Sequence, residues 1–407
     1  MTYHNAVKYL QQAPRDSRDP TALPIVWDAL GAPQKSLKYL RLTGSNGKTI
    51  CAEMLLSAFR ESEYVVGSLS FPFFGDGRNN IRINSLPIPT EEFTQHAETV
   101  FQTIKMMNSA KKEEPAEASD QITLSQSELL LSMALLAFRE HRCTFCLIES
   151  DASLSDPTLR LPAPFAAAIC GTIPSEQKKE IQGIRSYIVH GIQEIVSAPQ
   201  NQDAYRVISE TCASINCRLT IPTKAELNIS RLSLSGSEFT YKGETYKLGL
   251  CGKFQITNAT VVLETINMLT RRGYALPKEQ IFEGLWRTKI PSKFEILSVS
   301  PTIIVDSTHT ESAIAAICES LADFQSILGK NLRLCLPDGN LTEEYLSALS
   351  PYGYSVKSAL TYRETDKPKE IATNVLNSLE RNETLLVSGP FVQTIKIRDE
   401  ILKRLSQ

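Results

Sequence analysis

The chain reads as an α/β protein of more than one domain, and three observations carry that reading. Strand-like and helix-like segments alternate from residue 38 to about 222, which calls for a mostly parallel sheet with helices on both faces. From Leu232 to Leu250 the pattern switches to strict alternation (Leu232, Leu234; Phe239, Tyr241; Tyr246, Leu248, Leu250), with turn signals at Ser235-Gly236 and Lys242-Gly243. That is the mark of a small antiparallel meander. A second strand–helix series opens near Pro301, a smaller C-terminal α/β domain hinged near Pro291. The expected division is therefore 1–295 and 296–407. With 407 residues, 42% of them apolar, the chain can bury more than one core.

Taken in order, Asn5 to Gln11 is an amphipathic helix, Pro14 to Pro24 a proline-rich connection, and Val26 to Leu30 a short helix. Tyr39, Leu40 and Leu42 open the first strand, and Ile50 to Phe59 follows as a helix. Tyr64 to Ser70 reads as a strand running into the apolar wall Phe71-Pro72-Phe73-Phe74, and Ile81 to Asn84 as extended chain. Glu91 to Met107 reads as a helix and Ser109 to Gln121, charged and without apolar periodicity, as a mobile loop. The dense apolar residues between Ser127 and Phe138 predict a helix buried on most sides, delivering the chain to a strand that ends at Glu149. Ala166 to Cys170 and Ile195-Val196 read as strands, and Ala204 to Ile215 and Gly252 to Leu269 as helices. In the tail, strands are expected at Thr302 to Val305, Leu332 to Leu336 and Leu385 to Val387. Helices are expected at Glu311 to Leu321, Glu343 to Leu349, Lys369 to Leu379 and Thr394 to Leu405.

Composition excludes several classes. The 43 basic and 45 acidic residues nearly cancel, so no global field recruits nucleic acid or an anionic membrane. Met1 to Pro14 is polar and mixed rather than leader-like, and no stretch approaches the roughly 20 apolar residues that span a bilayer. A cytoplasmic protein is expected. Nine scattered cysteines argue against a disulfide framework, and Cys143 and Cys146, flanking a buried-looking strand with no second pair, read as core thiols. His4, His96, His141 and His190 fall on polar or terminal stretches and read as surface residues.

The stretch richest in chemistry is Leu42-Thr43-Gly44-Ser45-Asn46-Gly47-Lys48-Thr49, set between a strand and a helix. Gly44 and Gly47 let the backbone take positive φ and bring its N–H groups close to anionic oxygens, where the helix N-terminus adds partial positive charge. Lys48 would reach the β- and γ-phosphates of a nucleotide, and Thr49 would offer a hydroxyl to Mg²⁺. Glu149, just past a buried strand, stands where α/β proteins put groups that meet ligands, and is a second candidate for Mg²⁺. The competing reading of the turn is a tight strand-to-helix connection that merely carries a lysine.

The short glycine spacing resembles the loop of the Mur ligase superfamily, and nearly the whole chain resembles its folylpolyglutamate synthase/dihydrofolate synthase branch. Met1-Thr2-Tyr3 with Ala6 to Leu10, Leu30 to Lys35 and Ile81 to Ile88 carry the resemblance early in the chain. Gly252-Lys253-Phe254-Gln255-Ile256-Thr257-Asn258-Ala259, Ile290 to Glu295 and Ile304-Val305-Asp306-Ser307-Thr308-His309 carry it later. The resemblance implies a P-loop, Mur-ligase-type central domain with a smaller C-terminal Rossmann-like domain, and an ATP- and Mg²⁺-dependent ligase. Its partners would be small molecules (ATP, a folate-like carboxylate and glutamate), acting on a monomer, with no nucleic acid or membrane. By the same resemblance Gly44, Ser45, Asn46, Gly47, Lys48 and Thr49 bind phosphates, and Thr49 and Glu149 hold metal. Asn258, with Gln255, lies on the adenine and ribose side; Lys293 stands at a phosphate-binding position; Asp306 and His309 come to the nucleotide from the second domain. Lys48, Glu149 and His309 are the expected catalytic residues. Asp306 followed by Ser-Thr also fits a helix N-cap.

The departures cluster at the metal site. Phe71 stands where the family has a serine ligand, and Arg185 where it has a lysine that is carbamylated. Ser150 to Asp156 replaces a glycine-rich segment, and Gly171 to Gln177 lacks the family's Asp-His pair. Lys293 replaces an arginine and Phe254 a histidine. Two readings follow: a divergent ligase using one Mg²⁺ on Thr49 and Glu149 with Asp151 or Asp156, or a catalytically degenerate nucleotide-binding paralogue with a regulatory role.

Overall fold

The computed structural model describes residues 1–17, 19, 21–44, 46–71, 77–111, 121–150, 156–173, 178–188, 191–308 and 310–406. The loop expected at 109–121 therefore falls largely outside the described residues, as do the wall residues 72–74. The chain divides into two compact units, 1–222 with 260–284, and 223–259 with 285–407. This division by contacts differs from the expected boundary at 295, and the difference lies in the meander. Its Leu232 and Leu234, with Phe254 of the following helix, pack on the core formed by Ile304, Leu321 and Leu386. The meander therefore goes with the second unit, and the boundary falls inside the helix Lys253–Arg271.

In the first unit, eight strands among the described residues form one sheet in the order β4-β3-β2-β5-β1-β6-β7-β8. They are β1 (Tyr39–Thr43), β2 (Val66–Leu69), β3 (Ile81–Ile83), β4 (Leu86–Pro87), β5 (Phe145–Glu149), β6 (Ala166–Ile169), β7 (Glu194–Ser197) and β8 (Arg218–Thr220). The ladder is parallel from β2 through β8, whereas β3 and β4 add an antiparallel edge. β1, β2, β5, β6 and β7 are buried along their whole length, as a sheet covered on both faces requires. Tyr39, Leu69, Ile81, Cys146 and Ile148 face one core, shared with the helices Tyr3–Gln12, Ala22–Ala29, Thr90–Lys111 and Gln126–Glu140. By strand alternation Leu40, Leu42, Ser68, Arg82, Leu147 and Glu149 turn to the opposite face. The helix Lys48–Phe59 follows β1 and contacts β1 and β5. The Gln126–Glu140 helix starts in a capping box, with Ser125 N–H on Glu128 at 2.7 Å and Glu128 N–H on Ser125 at 3.3 Å.

In the second unit, β9 (Leu227–Ser233), β10 (Gly236–Tyr241) and β11 (Glu244–Leu248) make the antiparallel meander. A further sheet runs β12-β13-β16-β14-β15, with β12 (Glu295–Val299) antiparallel to β13 (Thr302–Asp306). β14 (Asn331–Pro337), β15 (Ser355–Tyr362) and β16 (Thr384–Ser388) are parallel to β13. The helices Glu311–Asp323, Leu341–Leu349, Pro368–Asn377 and Phe391–Leu405 flank this sheet. Sequence reading missed β12, β15 and the helix Lys278–Arg287.

Candidate nucleotide site

β1 and β5 lie side by side, and their register decides what meets at the carboxyl end. Leu42 is level with Glu149, so the strand-end carboxylate arrives beside the glycine turn that leaves β1. Ser150 N–H closes the ladder on Leu42 C=O at 2.9 Å. Gly44 has φ +121° and Gly47 φ +83°, backbone that side chains of L residues rarely adopt. A Cβ on Gly44 would stand 2.0 Å from the carbonyl oxygen of Cys170, at the end of β6. One on Gly171, itself at φ +68°, would stand 2.5 Å from the carbonyl oxygen of Asn46. The turn is thus pressed backbone to backbone against the tail of β6, and glycine is needed on both sides.

Gly47 heads the Lys48–Phe59 helix without a side-chain cap, and its first turn carries no acid. The dipole of a helix favours an anion at such an end. Thr49 Oγ1 donates to Glu149 Oε2 at 2.8 Å. Glu149 is buried, and burial pushes its carboxyl up to about 7; the Thr49 hydrogen bond and the charge of Lys48 pull the other way. A buried, all-oxygen pair of hydroxyl and carboxylate suits a hard cation such as Mg²⁺, so the residues present fit that ion. Among the described residues no group of three or more His, Cys, Asp or Glu side chains could hold a metal. Ser45 and His309 lie outside the described residues, as do Asp151 and 174–177.

Asp156 is already engaged. Its carboxylate accepts from Tyr187 O–H at 2.7 Å, Ser150 O–H at 3.1 Å and Thr158 N–H at 2.7 Å. Arg41, fully buried on β1, completes this cluster: Nη2 donates to Thr158 C=O at 2.7 Å and the guanidinium lies 5.2 Å from the Tyr187 ring centre. Phe71 packs against the first-unit core and Arg185 is exposed on the helix Lys178–Tyr187, so neither is a ligand. Sequence reading missed this cluster and also the ion pair of Glu53 with Arg82; the signals were an arginine inside a buried strand and an acid four residues after Thr49. His96 is buried rather than on the surface, with Nε2 3.4 Å from Glu92 and 3.7 Å from Glu140; burial lowers its pKa. His141 shares Glu92 at 3.0 Å, whereas His190 is outside the described residues.

In the second unit, Asp306 ends β13 level with Ser388 of β16 and is buried. Its Oδ2 accepts from Phe294 N–H at 2.6 Å; burial raises its pKa, against the pull of Lys293. The cap of the Glu311–Asp323 helix is Thr310, so Asp306 is not the N-cap its sequence allowed. Ser292 and Phe294 have φ +56° and +52°, a strained turn that presents Lys293. Glu295 secures it, accepting from Ser292 N–H at 2.8 Å and from Arg398 Nε at 2.7 Å and Nη2 at 2.6 Å. Asn258 Nδ2 donates to buried Gln255 Oε1 at 3.3 Å, and Gln255 Nε2 has no hydrogen-bond partner among the described residues.

No family model matches the chain. It is 22% identical over 306 residues to the dihydrofolate synthase/folylpolyglutamate synthase of Bacillus subtilis, covering 72% of this chain and 69% of that protein. It is 21% identical over 337 residues to the folylpolyglutamate synthase of Lacticaseibacillus casei, covering 79% and 77%. Among solved structures, an FPGS–AMPPCP–folate complex matches with a TM-score of 0.83 at 19% identity, covering 99% of this chain and 100% of that one. Mycobacterium tuberculosis folylpolyglutamate synthase complexed with ADP and AMPPCP matches with a TM-score of 0.80 at 17% identity, covering 98% and 99%. The curated relatives matched along most of the chain are thus folylpolyglutamate and dihydrofolate synthases, and the chain shares the fold of solved folylpolyglutamate synthases along nearly all of its length.

Proposed function

We propose that the chain is an ATP-dependent carboxylate–amine ligase that adds glutamate to a folate-like carboxylate. The observation that carries the reading is the glycine turn at the end of β1 with the Thr49–Glu149 pair level beside it. In this reaction an acceptor carboxylate oxygen attacks the γ-phosphorus and ADP leaves. The amine of glutamate then attacks the acyl carbon of the acyl phosphate, inorganic phosphate leaves, and the nitrogen gives up a proton to become the amide.

The turn amides from Gly44 to Lys48 and the Lys48 ammonium would neutralise the phosphates before and during transfer, which is the main electrostatic demand of phosphoryl transfer. Thr49 and Glu149 would hold Mg²⁺, which adds charge neutralisation at the phosphate oxygens when bound. Glu149 must then be ionised, so metal binding would release the proton that burial favours. Asn258, Lys293 and Asp306 are the proposed nucleotide contacts of the second unit, and Ser45 and His309 complete the set from sequence. A monomer in the cytoplasm is part of the same reading; no helix among the described residues is long and apolar enough to cross a membrane.

The test is calorimetry with ATP and Mg²⁺, followed by ADP release in the presence of dihydropteroate or tetrahydrofolate with glutamate. ADP formed only when acceptor and glutamate are both present supports ligation. Tight nucleotide binding without turnover on any acceptor would overturn it. Lys48→Ala should abolish nucleotide binding while leaving the fold intact.

A further inference from the structure

The Lys48–Phe59 helix bears a second polar pair on the face that carries Thr49. Glu53 is four residues on, about 6 Å along the axis and on the same side. Its carboxylate is ion-paired with Nη2 of Arg82 on β3. Arg82 is in register with Ser68 of β2, and alternation turns both to the sheet face that also bears Glu149. The Thr49–Glu149 and Glu53–Arg82 pairs therefore stand side by side, and Glu149 feels the charges of both Glu53 and Arg82.

What distinguishes this ion pair from a plain structural one is the donor capacity left over. Glu53 engages one nitrogen of the guanidinium. Nε of Arg82 and Oγ of Ser68 are buried without hydrogen-bond partners among the described residues. Nη1 is neither buried nor hydrogen-bonded there, on a side chain 16% exposed. A guanidinium offers its donors in a rigid fork suited to carboxylate and phosphate oxygens. Glu53 cancels its net charge at a distance but leaves those donors in place, one helical turn from the metal-competent pair. A reaction that brings an attacking carboxylate up to a terminal phosphate needs donors at that spot, because two anions repel.

We infer that Arg82, positioned by Glu53, is a further anion-holding residue of the phosphate site, taking an oxygen of the terminal phosphoryl group or of the acceptor carboxylate. The inference rests on the ligase reading, and the experiment separates the two. Arg82→Met, Arg82→Lys and Glu53→Gln are compared with the parent by calorimetry with Mg·ATP and Mg·ADP, by steady-state kinetics, and by unfolding followed through Trp27. If Arg82 holds the terminal phosphoryl group, Arg82→Met weakens ATP by about tenfold or more and ADP less than about twofold. If it holds the acceptor carboxylate, both nucleotides bind unchanged and the acceptor KM rises about tenfold. In either case kcat falls, Arg82→Lys recovers part of the loss, and Glu53→Gln gives a smaller effect in the same direction. The inference is overturned if Arg82→Met leaves nucleotide Kd, acceptor KM and kcat within about twofold. It is also overturned if Arg82→Lys and Arg82→Met lose function equally while both lower stability. Should the parent release no acceptor-dependent ADP, the ligase reading fails, and equal weakening of ATP and ADP, or none, overturns the role of Arg82.

Discussion

Replacing Gly44 by alanine puts the geometry of the phosphate turn to a quantitative test. The new methyl would sit 2.0 Å from the Cys170 carbonyl oxygen, where ordinary contact begins at 3.4 Å, and the backbone is at φ +121°. Holding a side chain in such a conformation costs about 1–3 kcal/mol. Forcing a methyl into a filled space costs about 1–3 kcal/mol more, because the obstacle is main chain and cannot rotate away. The sum is about 2–6 kcal/mol, a large share of a domain's stability. Gly243→Ala is the control: φ is +80° but nothing lies within 4 Å, so only the backbone cost of about 1–2 kcal/mol remains. The assay uses the two tryptophans, since buried Trp27 belongs to the first unit and Trp286 to the second. In a Trp286→Phe background, urea unfolding followed through Trp27 should shift for Gly44→Ala and stay put for Gly243→Ala. ATP affinity should fall only in the former. If Gly44→Ala unfolds within about 0.5 kcal/mol of its parent and binds ATP normally, the close approach to β6 is wrong.

Further outcomes follow from other contacts. Burial holds the Glu149 carboxyl at about 7, above its ordinary 4.5, so its protonated form favours the fold; that contribution is complete below pH 4.5 and lost as pH rises through 7. Against Glu149→Gln, the ligand-free parent should therefore lose about 3 kcal/mol between pH 5 and 8; parallel curves would refute it. Arg398→Ala frees the buttress of the Lys293 turn and should cost the second unit about 1–3 kcal/mol, read from Trp286, with Lys403→Ala, whose partner Glu400 is on the surface, near zero. Tyr187→Phe removes one of the donors to the Asp156 carboxylate and should cost about 1–3 kcal/mol by Trp27; no change would mean the cluster is slack.

The parts of the fold that were legible are those whose surroundings imprint on the sequence. β1, β5 and β16 are buried on both faces, and so read as apolar-rich runs bounded by turn residues, broken in β1 by Arg41. The three-stranded meander was legible because its alternation and glycine turns are local. β15 was not: most of Ser355–Tyr362 is exposed at the sheet edge, so no apolar pattern marks it. β12 was not read as a strand, because an edge strand with Val299 70% exposed lacks a hydrophobic face. The helix Lys278–Arg287 was hidden by its charges; Gly284 meets the backbone of Ala58, more than two hundred residues away in the chain. Around the candidate site, the glycine turn, Lys48, Thr49 and Glu149 could be placed at strand and helix ends because strand–turn–helix order is written in sequence. The bonds that engage Asp156 and the Glu53–Arg82 pair were not legible, because which carboxylate is already engaged depends on partners from distant strands.

The closeness of Gly171 to the carbonyl of Asn46 carries a lesson for anyone transplanting this loop. Its contour is moulded from outside, by the exit of a neighbouring strand, rather than stored in its own eight letters. A graft that moves the loop alone would leave half of the mould behind, whereas substitutions in the Cys170-Gly171 exit could retune the grip on a triphosphate without touching a single residue that meets it.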